Sequence, residues 1–209
     1  MGHREDLLAG AQRCLLEKGY GRTTARDIVA ASGTNLASIG YHYGTKEALL
    51  NAALLTALGD VGEEIHKATL ICLQMDADPL TRFEAGWGEI VRQYATRRQL
   101  LLASVEVFAQ VDRVPELRAA VADGFQQGRQ VMLQLFNAIL GPDVEHVTDE
   151  EARSVGSLFQ ALATGVMAQL LVDPERAPTG RDLANAVRTV SIGLRGSRLD
   201  ETEAVEQPV

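Results

Sequence analysis

The stretch GTNLASIGYHYGTKEALL, residues 33–50, constrains the fold more than any other. Gly33 and Gly44 each interrupt a helix, so the residues between them can form only a rod of about two turns. Ahead of it, Thr24-Ala25-Arg26-Asp27 has the spacing of a capping box, with Asp27 in place of the usual Glu. Ile28, Val29 and Ala31 then supply a buried side. Behind it, Thr45 can cap a long helix in which Leu50, Leu54, Leu58, Val61 and Ile65 recur at spacings of 4, 4, 3 and 4. Two short helices with only Ser32-Gly33-Thr34 between them form a helix-turn-helix pattern.

The second rod is unusual in content. It carries many groups that hydrogen-bond and few that pack. Ile39 and Tyr43 fill inward positions, and Leu36 fits either side. Asn35, Ala37, Ser38, Gly40, Tyr41 and His42 are left facing outward. A helix that enters a major groove needs such a face, made of donors and small side chains. Asn35 can meet a base edge or a phosphate, and Ala37 a thymine methyl. Ser38, Tyr41 and His42 can donate to phosphate. Lys46 adds charge in the first turn of the next helix, and Thr24 a hydroxyl from the other side. The expected nucleic-acid contacts are therefore Thr24, Asn35, Leu36, Ala37, Ser38, Gly40, Tyr41, His42 and Lys46.

Charge agrees with a local contact rather than a general coating. The net charge is −8, yet residues 1–50 hold six basic against five acidic side chains, a net of +1. The remainder carries −9, so a polyanion can approach only the N-terminal end.

Helical periodicity continues through the chain, and strand-like alternation is absent. The expected helices are about 3–18, 24–32, 35–42, one from Thr45, 78–97 resuming to 110, 115–140, one capped at Thr148 to about 172, and a last from Thr179 to about 195. For the fifth, Thr81-Arg82-Phe83-Glu84 reads as the capping box, and Gly141-Pro142 stops the 115–140 helix. The fold class is all-α: a three-helix helix-turn-helix head, residues 1–47, then a larger helical body, residues 48–198, about nine helices in total. The acidic, aperiodic end, 199–209, is expected to be a disordered tail.

Catalytic and metal chemistry lack their usual spacings. His3, His42, His66 and His146 do not pair, and no nucleophile–base arrangement is evident. No cofactor or metal is expected, and no enzyme. Cys14 reads as a small buried hydrophobe, and Cys72 has no partner spacing. No apolar run suggests a membrane span, so the expected location is cytoplasmic.

TTARDIVAASGTNLASIGYHYGTKEALL resembles the DNA-binding head of the TetR family of transcriptional regulators, over about residues 5–50. The resemblance implies a homodimer formed through the last two helices, a small-molecule cavity in the body, and repression at an operator in double-stranded DNA. Gly40 and Leu36 depart from the common pattern, which has Tyr or Phe at the first and a small polar or basic residue at the second. That departure makes the base-reading surface more apolar and open.

The body residues fit those roles. Trp87, Tyr94, Phe108, Phe125 and Phe136 are the aromatics of the middle helices, and with Glu106 they are the candidate ligand pocket. A buried Glu106 would favour a cationic effector. Leu158, Leu162, Gly165 and Val166 on one helix, with Leu183, Val187, Val190 and Leu194 on the next, are the candidate dimer interface. A helical scaffold without DNA binding and an activator are the alternative functions.

Overall fold

The computed structural model describes residues 2–72, 74, 76–141 and 148–203. The expected stop at Pro142, His146 and residues 204–209 of the expected tail lie outside the described residues. The helices are α1 (His3–Lys18), α2 (Ala25–Ser32), α3 (Leu36–Tyr43), α4 (Lys46–Cys72), α5 (Pro79–Ala95), α6 (Arg98–Phe108), α7 (Pro115–Leu140), α8 (Asp149–Val172) and α9 (Gly180–Glu203). No strand occurs among the described residues.

The helix boundaries follow from side chains that satisfy the free backbone N–H groups of each first turn. Thr24, Asn35 and Thr148 accept from the backbone N–H of Asp27, Ser38 and Glu151. Two ends differ from expectation. α5 starts at Pro79, close to the expected 78, but its cap is Asp78 and not the Thr81 of the expected capping box. Asp78 accepts from both Leu80 N (2.9 Å) and Thr81 N (3.1 Å), and Thr81 donates its hydroxyl back to Asp78. Proline at the first position lacks the N–H that would otherwise need a partner, so Asp-Pro outcompetes the later box. α9 runs on to Glu203, beyond the expected end near 195.

Two apolar clusters form the core. The first joins α1, α2, α3 and the start of α4 through Leu7, Leu15, Ile28, Ile39, Leu50 and Leu54. It is not confined to the head, because Leu100, Ala103 and Val107 of α6 and Leu117 of α7 belong to it. The second gathers Ile65 of α4, Phe83, Trp87 and Ile90 of α5, Met132 and Leu135 of α7, and Phe159 and Val166 of α8. The stripe expected on α4 thus serves both: Leu50 and Leu54 enter the first cluster, Ile65 the second, and Val61 touches each. One rigid helix therefore links the two cores.

α8 is long and apolar enough, by length and composition alone, to cross a membrane. Its apolar residues divide between two faces. Phe159, Ala163, Val166 and Leu170 are buried in the protomer. Leu158 (64% exposed), Ala161, Gly165, Ala168 and Val172 recur at spacings of 3, 4, 3 and 4 on the open side.

The α5–α9 crossing is tight at Gly180. A Cβ there would lie 2.6 Å from the backbone N of Gly88 and closer still to the carbonyl oxygen of Glu84. Neither is a side chain that could swing away. Gly180→Ala is therefore expected to cost about 1–3 kcal/mol, as overpacking commonly does. The check is a lowered urea midpoint with an unchanged slope. A midpoint equal to wild type would mean that α9 shifts without cost.

Candidate nucleic-acid interface

The head is held by contacts that fix α3 against α1, α2 and α4. Lys18 of α1 donates to Asp27 of α2 at 2.6 Å, and Thr24 donates its hydroxyl to the other oxygen of that carboxylate at 2.7 Å. These two donors hold the Asp27 carboxyl well below the usual carboxylate range. Arg13 donates to the carbonyl of Ala31 at the far end of α2. Tyr43, half-buried at the end of α3, donates its hydroxyl to Arg4 O at 2.9 Å, and the Arg4 guanidinium lies over its ring. Ile39 is buried in the first core cluster. With Ile39 and Tyr43 inward, the opposite side of α3 must face solvent.

That side is open. Leu36 is 52% and Tyr41 85% exposed, and Ala37 and Gly40 are exposed between them. A Cβ on Gly40 would meet nothing within 4 Å. Leu36, which fitted either side in sequence, lies on the outer one. His42 is half-buried and packs edge-on against the Tyr41 ring, with centroids 4.8 Å apart. Asn35 and Ser38 are engaged with each other: the Asn35 carbonyl accepts from Ser38 N at 3.1 Å and from the Ser38 hydroxyl at 3.2 Å.

Two flanking residues are also engaged. The Thr24 hydroxyl donates to Asp27, so its proton is not aimed outward. Lys46 donates to Thr23 O at 3.3 Å and pairs with Glu47 at 3.3 Å. Its amine is partly exposed and three-donor, so it keeps capacity for an anion. Arg26, exposed in the first turn of α2, is a further cation on this end that the motif itself did not single out. Its signal was its place two residues after the Thr24 cap.

The six candidate pocket residues do not line one cavity. Trp87 is fully buried, and with Phe83 and Phe136 it surrounds Phe159 at centroid distances of 5.7–5.8 Å. Phe108 and Phe125 stack on each other at 5.8 Å, separate from that group. Glu106 is exposed, with its carboxylate near Gly21 of the head, so a preference for cations has no buried anion behind it. Tyr94 borders a cavity of about 60 Å³ with Arg98, Leu101, Leu170 and Pro174, and burial pushes its phenol up to about 12.

Sequence reasoning missed Thr69, one helical turn beyond Ile65 and 2% exposed. Its hydroxyl and the indole N–H of Trp87 are both buried without a hydrogen-bond partner. A polar residue continuing the apolar stripe of α4 was the available signal.

The candidate interface residues split in the same way. Leu158, Gly165, Val187, Val190 and Leu194 are exposed, and Leu162 is partly so. Val166 and Leu183 are buried in the protomer's own second core. Spacing could not separate Val166 from Leu158 and Gly165, because α8 has apolar residues on both faces.

The bacterial regulatory proteins of the tetR family match residues 7–53, and the tetracyclin repressor-like C-terminal domain matches residues 78–191. The HTH-type transcriptional repressor AcnR is 32% identical in Corynebacterium efficiens and 41% in Corynebacterium glutamicum, each over 68 residues. Those segments cover 32% of this chain and 36% of each relative. Among solved structures, a TetR transcription regulator from Haloarcula marismortui aligns with a TM-score of 0.60 at 21% identity, over 90% of this chain and 94% of that one. The multidrug binding protein EbrR, complexed with imidazole, aligns with the same score, identity and coverage.

Proposed function

The chain belongs to the tetR family of bacterial regulatory proteins, and we propose that it is a repressor. It binds a palindromic operator in double-stranded DNA as a homodimer, and a small molecule in the body releases it. The observation that carries the reading is the open face of α3, held in place by Ile39 buried in the head's core behind it. In this reading Tyr41 and Lys46 contact phosphate, with Arg26 and His42 beside them, and Leu36, Ala37 and Gly40 meet the bases. The protein acts in the cytoplasm, as DNA binding requires, and performs no catalysis.

The exposed faces of α8 and α9 support pairing by a two-fold axis. Two such heads can then occupy half-sites one helical turn or a multiple apart. Release follows if the effector prefers a body conformation with a different head spacing; equal affinity for both states would shift nothing. α4 passes through both cores and is the natural lever. α6 gives a second connection, since its Leu100, Ala103 and Val107 pack in the head cluster. The Tyr20 hydroxyl, donating to Asn51 of α4 at 2.7 Å, pins the head's first loop to that lever.

The test is retention of fluorescent duplex DNA taken from beside the gene, measured across salt. Wild type is expected to bind with affinity falling steeply as salt rises. Tyr41→Phe is expected to weaken all duplexes alike by about two- to ten-fold, the loss of a phosphate hydrogen bond. No retention at low salt by any such fragment would favour a scaffold instead. Increased transcription from the bound fragment would favour an activator.

A further inference from the structure

We propose that the chain reads its operator through thymine methyl groups, with Leu36 as the specificity-determining residue. The inference rests on the regulator reading above and names what the reading helix recognises.

Leu36, Ala37, Gly40 and Tyr41 are the exposed residues of α3. Residues four apart stack on one face of a helix, so the pairs 36/40 and 37/41 form a single contiguous surface. Its groove-facing part is one branched aliphatic side chain, one methyl and one bare backbone position. Leu36 belongs to neither core cluster, so its 52% exposure is not needed for packing. The open space at Gly40 leaves room for a group to approach Leu36 along the helix.

Hydrogen-bonded base reading needs other chemistry. Guanine is met by Arg or Lys, adenine by Asn or Gln, and cytosine by an acid. The exposed face of α3 carries none of these. Asn35, the nearest amide, has its carbonyl occupied by two bonds from Ser38, and the Ser38 hydroxyl proton is used in one of them. An amide tied down in this way is poorly placed for the bidentate grip on adenine. Tyr41, at 85% exposure, reaches outward from the other end of the rod and suits a phosphate. What remains over the bases is aliphatic. The major groove of unmodified DNA offers one apolar group, the C5-methyl of thymine.

The experiment begins with the full-length dimer selecting sites from random duplex DNA. The consensus duplex is then remade with each thymine in turn replaced by deoxyuridine, symmetrically in both half-sites. Burying one methyl against Leu36 corresponds to about four-fold in affinity per half-site, and so about fifteen-fold for both. One position is therefore expected to cost wild type about fifteen-fold and Leu36→Ala less than about two-fold. At that position 5-methylcytosine paired with guanine should bind better than unmethylated cytosine paired with guanine.

The proposal is overturned if wild type tolerates every deoxyuridine within about two-fold. It is equally overturned if Leu36→Ala keeps the full penalty, which would place the methyl elsewhere. Selection that enriches no sequence, with salt-dependent binding intact, removes base reading by α3 and leaves phosphate binding standing. Absence of any duplex binding at low salt removes the regulator reading itself, and this inference with it.

Discussion

Leu158→Asp combined with Val190→Asp is expected to give a folded monomer that has lost operator binding by about 10²- to 10⁴-fold. Both side chains are more than half exposed, so a charge on them faces water in the single protomer and costs its core nothing. Pressed into a two-fold contact, each charge would be desolvated without a partner, and the symmetry would place like charges on both sides. The loss at the operator follows from linkage rather than from any contact with DNA. Two joined heads bind their half-sites at a high effective concentration, and separated heads do not. Sedimentation and operator titration together check it. Val166→Asp supplies the contrast: that residue is 1% exposed in the second core, so its charge should unfold the body instead of splitting a dimer. Wild type should also melt at a temperature that rises with protein concentration. An aspartate double variant that still sediments as a dimer would put the contact on another surface.

Residues 24–46 were legible because local rules decide them. Caps, glycine breaks and short helix length act within a few residues, and Thr24 and Gly33 occupy the expected positions, while Asn35, expected as an outward contact, is the cap of α3. The orientation of α3 followed because Ile39 and Tyr43 had to turn inward. The body was legible as helices but not as surfaces. On α8, Leu158 and Phe159 are neighbours in sequence, yet one is exposed and the other lies among Phe83, Trp87 and Phe136. Periodicity assigns a face only when a single apolar stripe is present, and α8 carries two side by side, one through Leu158, Ala161 and Gly165 and one through Phe159, Ala163 and Val166. The pocket failed for a different reason. Phe108 and Phe125 come from α6 and α7, and Trp87 and Phe136 from α5 and α7. Which aromatics meet depends on helix crossings, which composition does not encode. Thr69 was missed because one threonine in an apolar stripe changes the pattern little.

The sharing of the first core between head and α6 bears on how release would occur. A head with its own closed core could move only as α4 carried it. Here Leu100 and Val107 of α6 would have to move with α1, or slide against it, for the head spacing to change. Well-packed interiors resist continuous deformation, so such a change is expected between two discrete packings. A proposed effector would have to act where α4 meets the body, and the second core is such a place, since Ile65 of α4 and Trp87 of α5 both belong to it.

Trp87→Phe is expected to leave the protein folded and make it about ten-fold less responsive to its effector, whereas Trp87→Ala should cost about 3–5 kcal/mol of stability. The indole is fully buried, and its N–H has no acceptor. An unpaired buried donor costs about 1–3 kcal/mol, which offsets much of what the smaller phenyl ring loses in packing. Thr69 of α4 and the Nε of Arg82 on α5 carry the same defect. An effector whose carbonyl or other acceptor met the indole N–H would satisfy it, and one such bond accounts for about 1.4 kcal/mol, or ten-fold. The two readings of Trp87 then diverge. If the ring is only core, response tracks stability: the Phe variant keeps it and the Ala variant loses it. If the N–H is an anchor, the Phe variant stays as stable as wild type and still needs about ten-fold more effector to release DNA. A panel of apolar, acceptor-bearing compounds, scored by release of labelled duplex and by the shift in melting temperature, measures both quantities on the same samples. A Phe variant released as readily as wild type by every active compound would return Trp87 to plain packing.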